Sequence, residues 1–138
     1  MRSVAIAALT FFLSVMPASA KVSSFIANLN GGQETPPSMS VGLGVGYFAF
    51  DSTTKMLCAS ITYANLTSAE VAAHIHGPAA PGVAAPILIP FAVGNAKQEC
   101  HTLTSDQQKF LKKDLLYFNV HTTNNPGGEI RGQIVGAK

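Results

Sequence analysis

From Met56 to Ala64, apolar and polar residues alternate. Leu57, Ala59, Ile61 and Tyr63 fall on one side of an extended chain, and Met56, Cys58, Ser60 and Thr62 fall on the other. A period of two marks a strand with one buried face. The same reading predicts strands over Val22–Leu29, Leu43–Asp51 and Val71–His76. A short buried strand is expected at Ile87–Ile89, between Pro86 and Pro90, and a final hairpin pairs Leu116–Thr122 with Glu129–Val135 across Asn124–Gly128. In the second strand Gly42, Gly44 and Gly46 share one face, which predicts that a backbone or a bulky ring packs against it. Pro36 and Pro37 keep Gln33–Pro37 out of any central strand. One helix is expected after Thr104, where Thr104 and Gln107 have the spacing of a capping box and Leu103, Phe110, Leu111 and Leu115 can share a face. Seven or so short strands with regular turns predict a mainly β domain, a sandwich or a closed barrel with one short helix.

The first twenty residues break this pattern. Arg2, the apolar run Val4–Leu13, Pro17 and the small residues Ala18-Ser19-Ala20 read as a secretory signal, cleaved ahead of Lys21. The run is about half the length that crosses ~30 Å of hydrocarbon, which argues against an anchor. The domains are therefore 1–20, signal peptide, and 21–138, one globular domain that no membrane holds once the signal is cleaved. Without Arg2, eight Lys and Arg face seven Asp and Glu, and no basic run is present, so nucleic-acid binding is excluded. Charged residues make up 12% of the chain, so Ser, Thr, Asn, Gln and Gly must build most of the surface. Cys58 and Cys100, in an oxidising compartment, are expected to form one disulfide; their distance in sequence and the lack of a Cys-x-x-Cys unit disfavour metal ligation.

Candidate chemistry begins at His74-Ile75-His76. Residues two apart in a strand point the same way, with Cα atoms about 6.6 Å apart, so both imidazoles can reach one ion. His121 shares a face with Tyr117 and Asn119 near the end of its strand, and folding the hairpin about Asn125-Pro126 sets it opposite Arg131. Three imidazoles suit copper or zinc better than magnesium or calcium. The competing reading makes each histidine a satisfied polar group. His101, beside Cys100, is a further ligand candidate or an exposed loop residue. Glu34 either anchors its loop or orients an imidazole from behind. No Gly-x-Ser-x-Gly elbow is present. The sequon Asn65-Leu66-Thr67 matters only in a host that glycosylates.

Four segments carry a family resemblance: Leu29–Pro37, Ala73–Ala79, Tyr117–Thr122 and Pro126–Gln133. Together they resemble the CHRD domain, named from chordin and common in secreted bacterial proteins. The resemblance spans essentially the whole chain after residue 20 and implies a secreted or periplasmic module. In chordin such domains belong to an extracellular protein that binds bone morphogenetic proteins. The histidine spacing is also similar to that of copper/zinc superoxide dismutases. It implies a Greek-key, immunoglobulin-like β-sandwich with copper held by His74, His76 and His121, superoxide as substrate and Arg131 drawing in the anion. The dismutases' His- and Asp-rich zinc loop has no counterpart here, so such activity would be copper-only. Two other functions stand beside this one: a protein- or glycan-binding module with structural histidines, and copper buffering without turnover.

Overall fold

The computed structural model describes residues 21–137, and the expected signal segment lies outside the described residues. The elements run β1 (Val22–Asn30), a 3-10 turn (Gly31–Gln33), β2 (Leu43–Asp51), β3 (Met56–Ala64), β4 (Glu70–His76) and β5 (Ile87–Phe91). They continue with β6 (Lys97–Thr102), α1 (Ser105–Lys112), β7 (Leu116–Thr122) and β8 (Ile130–Gly136). The strands form a single antiparallel sheet in the order β5-β4-β7-β8-β1-β2-β3-β6. Its ends approach one another, with the Phe91 ring of β5 against His101 of β6 at 4.9 Å, so the sheet is nearly closed in a barrel- or sandwich-like shape. The described residues adopt the expected mainly β fold with one helix.

Alternation decides which side is the core. Phe25, Ala27 and Leu29 of β1, Phe48 and Phe50 of β2, and Leu57, Ala59, Ile61 and Tyr63 of β3 all point inward. Ala73, Ile75, Phe118, Val120, Ile130 and Ile134 meet them from the other half. The glycine face of β2 is filled as its sequence requires: a Cβ on Gly46 would lie 2.9 Å from the Phe48 ring. The capping box forms at Thr104 and Gln107, although Leu115 lies beyond the helix end. Cys58 and Cys100 are opposed across β3 and β6 and are disulfide-bonded.

One strand had no expectation. In β6, Lys97 is 4% exposed, and its ammonium donates to Glu70 Oε1 at 2.6 Å and to the carbonyls of Ala92 and Gly94. Glu70 also accepts from the Tyr63 hydroxyl and from Gly94 N. All three ammonium protons are used, which is what allows a lysine to be buried.

The seam between β1 and β8 has an unusual rung. Direct pairing is found at Phe25, Ile26 and Asn30 of β1 but is interrupted between them. There the Gln33 side chain steps in: Gln133 N donates to Gln33 Oε1 at 3.4 Å, and Gln33 Nε2 donates to Asn28 O at 2.6 Å. A side-chain amide thus takes the place of a peptide in the ladder. Gln33 reaches this position because Asn30 caps the 3-10 turn, accepting from Gln33 N.

Candidate metal centre

Strands β4 and β7 are paired so that His74 lies opposite Asn119 and His76 opposite Tyr117, while His121 lies across from Ala72. Ala73, Ile75, Phe118 and Val120 occupy the core face of these strands. The histidines therefore stand on the outer face, backed by a fully packed sheet. A register irregularity between Ile75 and His76 on the β5 side bends β4 beside the second ligand candidate.

The three imidazoles converge. One ring nitrogen from each of His74, His76 and His121 lies within 4.8 Å of the others. Ring centroids are 5.4 Å apart for His74–His76, 5.0 Å for His74–His121 and 6.1 Å for His76–His121. Ligand nitrogens about 2.0 Å from a tetrahedral ion would be about 3.3 Å apart, so small side-chain rotations suffice to close the site.

Backbone contacts set the tautomers. His76 Nδ1 donates to Ala85 O at 2.9 Å, and His121 Nδ1 donates to Pro126 O at 3.0 Å. A carbonyl only accepts, so both Nδ1 atoms carry a proton, and the uncharged form of either ring leaves its Nε2 with a free lone pair. Those two Nε2 atoms, and His74 Nδ1, are buried without a partner. Burial lowers the pKa of His74 and of His76, and the neighbouring histidines add to the effect. At neutral pH both rings are uncharged bases, the form that binds a metal.

The surroundings hold these rings in place. His76 stacks on Tyr117 at 4.9 Å, the planes 1° apart, and the Arg131 guanidinium lies over the Tyr117 ring with Cζ 3.4 Å from the centroid. Ala85 ties the stack together, its carbonyl on His76 and its N–H donated to the Tyr117 hydroxyl. Arg131 is 1% exposed and donates to Thr35 Oγ1 at 3.2 Å, to Ala80 O and to Gln133 Oε1. Its position differs from the expected one, since Arg131 pairs with Asn119, not with His121. Two successive turns, Thr122–Asn125 and Asn125–Gly128, centre the hairpin on Asn125 and move Arg131 toward Tyr117.

Glu34 is 6% exposed, and burial pushes its carboxyl above the usual range against the opposing influence of Asn119 and Arg131. It does not back an imidazole; carbonyls do that for His76 and His121. Instead Asn119 Nδ2 donates to Glu34 Oε1 at 3.4 Å. His101 sits apart, beside Phe91 and 3.3 Å from Glu99, outside the three-histidine group. Asn119 and Tyr117 had no role in the sequence reading, although the period of two already placed them on the face of His121. A concavity of about 710 Å³ lies on the other half around the disulfide, against Ile26, Tyr47 and Ala49, and touches none of the three histidines.

A family model described as the CHRD domain matches residues 25–134. No curated protein and no solved structure matches the chain.

Proposed function

The chain belongs to the CHRD domain family, and on that premise we propose an extracellular or periplasmic module that binds one copper ion through His74, His76 and His121. The observation that carries this reading is the convergence of three imidazole nitrogens, all buried and none with a hydrogen-bond partner. Structural histidines would have both nitrogens satisfied, because an orphaned buried acceptor costs about 1–3 kcal/mol. All-imidazole ligation suits copper and zinc, and no thiolate is free to compete, since both cysteines are joined. The disulfide suits an oxidising compartment, and no helix among the described residues is long and apolar enough to cross a membrane.

Superoxide dismutation is a further step in this reading. His74 and His121 are only partly buried, so an ion they held would be reachable from solvent. Arg131 would act on an incoming anion through its field and not by contact, because its guanidinium is covered.

The test is a Cu(II) titration followed by electron paramagnetic resonance, with wild type beside the His74→Ala/His76→Ala double variant. One equivalent of copper with nitrogen coupling, lost in the variant, is expected, and a superoxide assay on the loaded protein then follows. Equal binding by both proteins, or none by wild type, removes the metal reading and leaves a protein- or glycan-binding module in its place.

A further inference from the structure

We propose that the side-chain oxygen of Asn119 is a fourth ligand of the histidine site, turned toward the ion by Glu34. The inference rests on the metal reading above and adds a residue to it. Asn119 is 3% exposed and stands directly across the β4–β7 ladder from His74, two residues from Tyr117 and two from His121 on the same face. It is thus the residue nearest the middle of the histidine triangle on its strand.

Its amide has a fixed sense. Nδ2 donates to Glu34 Oε1, and a carboxylate offers that nitrogen an acceptor. Oδ1 is then left on the opposite side of the group, buried and without a partner. Asn119 also lies within reach of His76, whose Nε2 is equally unpartnered. With Nδ1–H of His76 committed to Ala85 O, both atoms are acceptors. Two buried acceptors on one face of the sheet, neither with a hydrogen-bond partner, fit a cation that draws on both lone pairs. The resulting set, three imidazoles and a neutral amide oxygen, leaves the full charge of a divalent ion uncompensated, which favours an anion as any exogenous ligand.

Nuclear magnetic resonance of asparagine- and histidine-labelled wild type, titrated with Zn(II) as a diamagnetic probe, tests this. Coordination is expected to shift the Asn119 side-chain carbonyl carbon together with the three histidine rings, while other asparagines stay in place. Competition against a chromophoric chelator should show Asn119→Ala binding zinc roughly ten- to hundredfold more weakly, the range known for loss of supporting groups at metal sites. Histidine shifts without any at Asn119, or unchanged affinity in the variant, would overturn the fourth ligand and leave the three-histidine site standing. No shift at the histidines would overturn both.

Discussion

Gly128 holds φ at +134°, and a Cβ there would collide with the Glu34 carboxyl. Both facts demand glycine: the backbone region disfavours any L side chain, and the carboxyl fills the space. Gly128→Ala is therefore expected to destabilise by about 2 kcal/mol or more, read as a lower denaturant midpoint at unchanged slope. The same substitution displaces Glu34, so it should weaken metal binding as well, although it touches no histidine. Arg131 has a comparable dependence on shape. A lysine would keep the charge but not the flat stack on Tyr117, and an Arg131→Lys variant is expected to lose about 1–2 kcal/mol in the same assay.

Among the elements, β3 was fully legible because each of its inward positions is apolar and each outward one after Met56 is polar or small. The helix was legible from one capping motif. β6 was hidden for a definite reason: its inward positions are Lys97, Glu99 and His101, so hydrophobic periodicity has nothing to report. Lys97 is satisfied by Glu70 of β4 and by the Ala92 and Gly94 carbonyls, and Glu99 accepts from Ala92 N, contacts that no local pattern encodes. The histidine pair was readable from its spacing in β4, whereas the place of Arg131 depended on how the hairpin turns, and its partner lies two residues from the one expected. The Gln33 bridge was beyond reach, since it depends on two strands far apart in sequence. Replacing Gln33 by Leu strips both bonds from the β1–β8 seam and is expected to cost about 1–2 kcal/mol. Hydrogen exchange at the Gln133 amide should accelerate more than at its neighbours; equal protection in both proteins would mean the bridge contributes nothing.

For the molecule as a whole, Glu129 joins segments distant in sequence. Its fully buried carboxylate accepts from Ser40 Oγ, Thr67 N and Oγ1, Thr122 Oγ1 and Asn125 Nδ2. Burial alone would raise its pKa, but the bonds from Ser40, Thr122 and Thr67 outweigh it and hold the group at about 2. An unfolded glutamate titrates near 4.3, so the folded state binds its proton less readily and gains on the order of 3 kcal/mol at neutral pH. That gain is complete above about pH 4.3 and is lost as pH falls toward 2. Wild type should lose urea resistance steeply over this window. Glu129→Gln should start lower at pH 7 and change less, and parallel curves would show that Glu129 carries no such linkage. The placement of the three histidines outside the hydrophobic interior has a consequence of another kind. Every side chain that holds the barrel together can be inherited unchanged while the three rings are exchanged for other residues. Descent within this fold therefore constrains shape far more tightly than it constrains chemistry, and a relative can keep the scaffold after giving up the three rings.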